Sequence, residues 1–413
     1  MTAIKSEVAS VSPWRLAALA GMASYLDAGT IVGVSASLSR WESQFGLTSW
    51  QLGFLSAALT VCIGIGAIAG GRIGDRYGRK KVYAADLLLY AFGLLWLVFA
   101  SGTPMLFVGV IVVGLAIGAD VPTALALVGE SSPAAQRGKF VTFTGFLWGL
   151  GPLVVIVLVL FTNKYGELMP RLIFGHFLLL AIVTWALRRR MRESVSWQQS
   201  SGRRTRVQDL FNPALVRTTV AMIAFYGLLT IGTNFYGSFG LYALETVGGL
   251  SPDRALLASL IAVPIIVVTV AMMMFVMDTQ ARRPIFSVGA VLQVVAWLSL
   301  LVLPITAGTL VGVFVLYGFA NVLAGEAHYK LWTQENFPTT LRGTATGLSF
   351  GVARIVSAIV LVFVPTLLHS GFSTLVVLMV IVTAASGLIG ATFRARGQGE
   401  PITTIDTRLD GGR

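Results

Sequence analysis

Charged side chains inside apolar runs are where the chemistry of this chain must lie, because lipid offers them no solvent. Asp27 stands in Tyr25-Leu26-Asp27-Ala28-Gly29-Thr30, and Asp120 stands two residues before Pro122. Glu326, His328 and Lys330 share one apolar run, and Arg354 occupies another. A charge at the centre of a bilayer costs at least ~2.5 kcal/mol on insertion scales, so each marks a candidate solute or ion pathway. A carboxylate in a low-dielectric cavity can alternate between protonated and ionised forms as access to it switches sides. Asp27 is therefore the first candidate for a proton carrier and Asp120 the second. The alternative for each is a fixed ion pair, with Arg354 or Lys330 as the partner of Asp27. Glu326 and Lys330 are spaced i,i+4 and can pair along one helix face.

Three deep acids against two deep bases leave a site near neutral once one acid holds a proton. Such a site suits an uncharged, hydroxyl-rich solute, whose hydroxyls need both donors and acceptors. The expected solute contacts are Tyr25, Asp27, Asn234, Tyr236, Asn321, Glu326, Lys330, Trp332 and Arg354. Trp332 and Trp148 can stack on a ring face or simply pack. His176 and His328 are isolated, so neither a metal nor another cofactor is expected. No nucleophile elbow, metal box or phosphate-cradling loop is present, which argues against an enzyme.

The elements that must position these residues follow from composition. Of 413 residues, 55% are hydrophobic and 12% charged, about half the charge of a soluble protein, which excludes a soluble fold. Apolar runs place twelve spans near 14–39, 50–73, 81–101, 104–128, 140–162, 168–187, 215–243, 252–277, 284–303, 308–333, 343–368 and 371–393. Span 1 reads as retained rather than as a cleaved signal. Of 30 basic residues, 24 fall in the termini and the even-to-odd loops, so both termini are expected in the cytoplasm by the positive-inside rule. The net charge of +12 is thereby topological, and no nucleic-acid partner is expected. Cys62 is the single cysteine, which excludes an intrachain disulfide. The basic loop around 191–212 reads as a tether between halves 1–190 and 213–413.

Two charged signatures repeat. Gly71-Arg-Ile-Gly-Asp75-Arg76-Tyr-Gly78-Arg79-Lys80-Lys81 follows span 2, and Asp278-Thr-Gln-Ala281-Arg282-Arg283 follows span 8. Asp75 and Asp278 are 203 residues apart, as are Arg79 and Arg282. Glu130-Ser-Ser-Pro133-Ala-Ala-Gln-Arg137-Gly138 after span 4 matches Glu335-Asn-Phe-Pro338-Thr-Thr-Leu-Arg342-Gly343 after span 10 at an offset of 205. The stretch from Gly71 to Lys81 resembles the loop signature G-x-x-x-D-R-x-G-R-[RK] of the major facilitator superfamily. With the Glu130 and Glu335 motifs, it resembles the sugar-porter and metabolite-symporter branches over essentially the whole chain. Arg192-Glu193-Ser194 is similar to part of the P-E-S-P-R motif of those branches.

The resemblance implies an all-α polytopic fold of two pseudo-symmetric six-helix bundles, with spans 1, 4, 7 and 10 around a central cavity. Asp27, Asp120 and Glu326 fall on three of these. It also implies a proton-coupling acid in span 1, the place of Asp27. Runs 26–32 and 118–122 resemble the bacterial inositol-type branch. Gly232-Thr-Asn234 resembles a sugar-porter segment, although Leu228 and Leu229 stand near the place of its paired glutamines. The cytoplasmic gate is expected at Gly71, Asp75, Arg76, Gly78, Arg79, Glu130, Arg137, Asp278, Arg282, Glu335 and Arg342. There Asp75 can accept from arginines or a helix N-terminus, and Glu130 can pair with Arg137. The expected function is proton-coupled uptake of inositol, a polyol or a sugar across a bacterial-type inner membrane, by a monomer and alternating access.

Three rivals are weaker. An organic-anion symporter would use Arg354 and Lys330 as carboxylate clamps. A drug-efflux antiporter would use Gly145, Gly149, Gly151 and Pro152, but Val154 and Val155 replace the trailing glycines of that motif. A non-translocating sensor would be expected to extend further beyond span 12.

Overall fold

The computed structural model describes residues 12–189, 191, 193–200, 205–393, 400, 404 and 406–407. Arg192 and parts of the expected tether and tail lie outside the described residues. Lipid supplies no partner for backbone N–H and C=O groups, so each span must satisfy its own as a helix. Among the described residues all regular structure is helical, and twelve segments are long and apolar enough to cross a membrane.

The first six spans are α1 (Pro13–Phe45), α2 (Ser49–Tyr77), α3 (Arg79–Val98), α4 (Thr103–Ser131), α5 (Arg137–Thr162) and α6 (Leu168–Arg188). A short linker helix, α7 (Val195–Ser200), follows. The second six are α8 (Val216–Thr246), the pair α9 (Pro252–Leu260) and α10 (Ala262–Val276), α11 (Arg282–Val302), the pair α12 (Ala307–Leu323) and α13 (Glu326–Asn336), α14 (Thr339–Ser370) and α15 (Phe372–Thr392).

Local sequence sets the ends. α1 opens on Pro13 and stops at Gly46, whose φ of 64° is left-handed. α2 opens on a reciprocal cap in which Gln51 N donates to Thr48 Oγ1 at 3.3 Å and Thr48 N to Gln51 Oε1 at 2.9 Å. Two expected spans are not continuous helices. Span 8 divides at Ile261, and span 10 breaks at Ala324 and Gly325. A Cβ on Gly325 would collide with the Asn321 carbonyl oxygen.

Burial is reversed relative to a soluble domain. Leu160, Phe275 and Val362 are exposed on the outside of the bundle, whereas Asp27, Arg79, Arg137, Arg188 and Arg342 are buried. The two halves meet chiefly where α2 runs antiparallel to α14. Small residues allow this approach: a Cβ on Gly71 would strike the Gly343 carbonyl oxygen, and one on Gly347 that of Ala67.

Candidate functional site

At the seam between the halves, Arg354 Nη2 of α14 meets Asp27 Oδ2 of α1 at 3.0 Å. α1 and α5 cross closely at Gly29 and Gly151, which brings Trp148 of α5 within reach. Trp148 Nε1 donates to the same Asp27 oxygen at 3.3 Å. Asp27 Oδ1 has no hydrogen-bond partner. The Arg354 guanidinium also lies 4.9 Å from the Phe350 ring centre, a cation–π contact.

The break in span 10 puts Glu326 at the first turn of α13, where the helix N-terminus favours a carboxylate. Lys330 Nζ pairs with Glu326 Oε1 at 3.1 Å, and the Tyr226 hydroxyl of α8 donates to that oxygen at 3.4 Å. Tyr226 in turn stacks on Tyr329 at 3.7 Å and on Phe350 at 5.7 Å. Asp27 and Lys330 are each 2% exposed, whereas the Glu326 side chain keeps 30% of its surface open, so Glu326 is the more accessible of the two acids.

The other expected contacts are dispersed around this core. Tyr25 shares a hydrogen bond with His176 Nε2 at 3.1 Å, which ties α1 to α6. Asn234 Nδ2 donates to Ser357 Oγ at 2.7 Å, and Thr233 Oγ1 to Asn321 Oδ1 at 3.3 Å. Tyr236 packs on Phe314 and Tyr317. Two expected residues lie away from the seam. Trp332 packs among Phe225, Phe286, His328 and Phe393, because α13 turns that face into its own half. Asp120 faces α3 and α6 within the first half and is held there by Arg188.

The seam is sealed at the end that carries the repeated basic loops. Asp75 Oδ1 pairs with Arg79 Nη1 at 2.5 Å and accepts from Gly343 N at 3.1 Å. Its Oδ2 accepts from Thr344 N and Thr344 Oγ1, both at 2.6 Å, near the start of α14 in the other half. Arg79 Nη2 donates to Glu130 Oε1 at 2.8 Å and to the Thr339 carbonyl at 2.6 Å. Reciprocally, Asp278 accepts from Gly138 N at 2.7 Å and Lys139 N at 2.8 Å in the first turn of α5. Burial pushes the Asp278 carboxyl up from its ordinary range, while those two backbone N–H groups pull against the shift. Arg282 grips Glu335 with two bonds, of 2.9 and 3.0 Å.

The expected Glu130–Arg137 pair is replaced. Arg79 and Arg342, the latter at 3.3 Å, occupy Glu130 Oε1. Arg137 turns instead to the carbonyls of Gly129 at 3.1 Å and Glu400 at 3.0 Å. Arg76 is exposed and lies over the ring of its neighbour Tyr77 at 5.1 Å. Gly78 has φ +110°, and the Glu193 carboxylate lies where its Cβ would be.

Several participants carried weak or unread signals. Glu193 accepts from Arg79 N at 3.1 Å and Lys80 N at 3.2 Å, capping α3, and only the motif fragment around it pointed there. Trp197 Nε1 donates to the Asp75 carbonyl at 2.8 Å. Asp86 sits inside an apolar run, so the rule that singled out Asp27 applies to it equally. Tyr226 had no signal, since a tyrosine in a span is unremarkable by type.

Residues 17–361 match the Major Facilitator Superfamily. The chain is 31% identical over 411 residues to the minor myo-inositol transporter IolF of Bacillus subtilis, covering 95% of this chain and 93% of that protein. It is 26% identical over 380 residues to a probable 4-methylmuconolactone transporter of Cupriavidus pinatubonensis, covering 87% and 85%. Among solved structures, the proton:xylose symporter XylE superposes with a TM-score of 0.74 at 20% identity, covering 95% and 98%. FucP in its outward conformation also gives 0.74, at 15% identity, covering 91% and 97%. Matched in sequence along most of its length and in fold throughout, the chain is a multi-pass membrane transporter of small molecules and belongs to the major facilitator superfamily.

Proposed function

We propose that this transporter takes up a small hydroxylated solute, such as inositol, a polyol or a sugar, by proton symport across a cell membrane. Residues 1–190 rock against 213–413 about the linker 191–212, and a monomer is the working unit. The positive-inside rule assigns the sealed, basic end and both termini to the cytoplasm.

The Asp27–Arg354 ion pair carries this reading, since it is buried and made between the halves. Protonating Asp27 removes the charge that holds Arg354, frees both side chains for solute hydroxyls and lets the halves part. Releasing the proton restores the pair. A membrane potential supplies about 2.3 kcal/mol per charge per 100 mV, enough for roughly fifty-fold accumulation per proton. The myo-inositol transporter among the relatives supports the solute class.

The test uses reconstituted Asp27→Asn protein. It is expected to exchange labelled solute but to lose accumulation driven by a pH gradient. Accumulation equal to wild type would remove Asp27 as the carrier. A second reading, uptake of a small organic anion, draws on the same geometry: with Asp27 and Glu326 protonated, Arg354 and Lys330 become carboxylate clamps. Thermal-shift measurements against polyols, hexoses and carboxylates separate the two, because stabilisation by carboxylates alone would favour the second.

A further inference from the structure

Within the first half, away from the seam, Arg188 is enclosed among α1, α3, α4 and α6. Its Nη1 meets both oxygens of Asp120 at 3.0 Å and lies 3.7 Å from Asp86 Oδ1. Its Nη2 donates to the Leu19 carbonyl at 2.9 Å, and its guanidinium carbon stands 3.5 Å from the centre of the Tyr83 ring. Asp86, Asp120, Tyr83 and Arg188 are all at most 5% exposed. The facing titratable groups are therefore Tyr83, Asp86 and Tyr90 from α3, Asp120 from α4 and Arg188 from α6. α1 contributes the Leu19 carbonyl and the apolar Ala23 and Leu26.

Two ionised carboxylates against one guanidinium would leave a negative charge uncompensated in a dry interior, which is strongly unfavourable. The hydrogen bonds repeat the point. Asp86 Oδ1 accepts from Leu87 N at 2.6 Å, but Oδ2 is buried and has no donor. The Asp86 and Asp120 carboxyls flank the same Arg188 Nη1, at 3.7 and 3.0 Å. Ionised carboxylates only accept, so neither acid can supply the donor that Asp86 Oδ2 lacks unless one of them carries a proton. Asp86, Asp120 and Tyr90 also line a cavity of about 10 Å³, room for one water. Tyr90 shares a 2.7 Å hydrogen bond with Thr30, one turn along α1 from Asp27.

We propose that Asp86 and Asp120 hold one proton between them beside Arg188, a proton-binding site of the first half separate from Asp27. The proton is taken from water and sits on Asp86 Oδ2, because Asp120 already accepts two bonds from Arg188. This site does not depend on the symport reading, since the charge balance is the same in a transporter that moves solute without protons.

Infrared spectroscopy of the purified protein at neutral pH tests it. A carboxylic-acid C=O band is expected in wild type and in Asp27→Asn. Its loss, by one acid, is expected in both Asp86→Asn and Asp120→Asn, because either leaves Arg188 facing a single carboxylate. Asparagine matches a protonated aspartate in shape, so both variants are expected to fold, and either one alone suffices for the comparison. A band undiminished in these variants would overturn the proposal, as would a wild-type spectrum with no such band. Failure of Asp27→Asn to abolish pH-driven uptake, with the band behaving as expected, would overturn the symport reading alone.

Discussion

Asp27 Oδ2 receives both Arg354 and Trp148 while Oδ1 receives nothing, so the carboxylate is gripped on one side only. Removing one member of a buried ion pair typically costs about 3–5 kcal/mol, whereas replacing both by apolar groups is often neutral. Asp27→Leu and Arg354→Met are therefore each expected to lower the melting temperature clearly, and the double variant to recover most of the loss. Single variants that melt like wild type would mean that the pair does not hold the halves. These two charges were legible in the sequence because each interrupts an apolar run. Their pairing was legible only as one of two choices, since a partner 327 residues away is decided by how the halves pack. Arg188 shows the converse. At the end of a span it is explained by the positive-inside rule, so nothing in the sequence asks for a buried partner, yet it organises Asp86 and Asp120.

The twelve spans were legible as elements because apolar length and flanking charge are properties of the chain alone. The interruptions were not. Composition stays apolar through Ile261 and through Ala324, so periodicity carries no sign that span 8 divides or that span 10 breaks. At the second break the backbone of Gly325 passes so close to the Asn321 carbonyl that no Cβ fits. Gly325→Ala is expected to straighten the span, rotate Glu326 away from Tyr226 of α8, and reduce solute affinity at least several-fold. Unchanged affinity in a binding assay would show that the break does not position Glu326. The crossing of α2 and α14 makes a matching prediction. Gly71→Leu puts a side chain where the Gly343 carbonyl now lies, so the sealed end cannot close. In a Cys62→Ser background, a cysteine placed at Thr344 is expected to react faster with a polar thiol reagent when Gly71→Leu is present. An unchanged rate would show that helix proximity there does not limit closure.

The repeat has a geometric meaning at the scale of the whole molecule. Each half lends an aspartate from its own basic loop to the start of a helix in the other: Asp75 to Gly343 and Thr344, and Asp278 to Gly138 and Lys139. Both acids and both helix starts that donate to them were visible in the sequence as motifs at offsets of 203 and 205. That the acid of one motif meets the turn of the other, across the seam, follows only from how the two halves pack side by side with their basic ends together. The two contacts share no residue, so their contributions to closure should add. Hydrogen bonds to a charged group are worth about 1.5–3 kcal/mol each. Asp75→Asn alone is thus expected to raise the population open at the basic end by roughly ten- to a hundred-fold. Asp278→Asn should act in the same direction, and the double variant by the product of the two. Spin-label distances across that end read the populations directly. A closed fraction indifferent to both substitutions would mean that shape, through the α2–α14 crossing, holds the seal without help from charge.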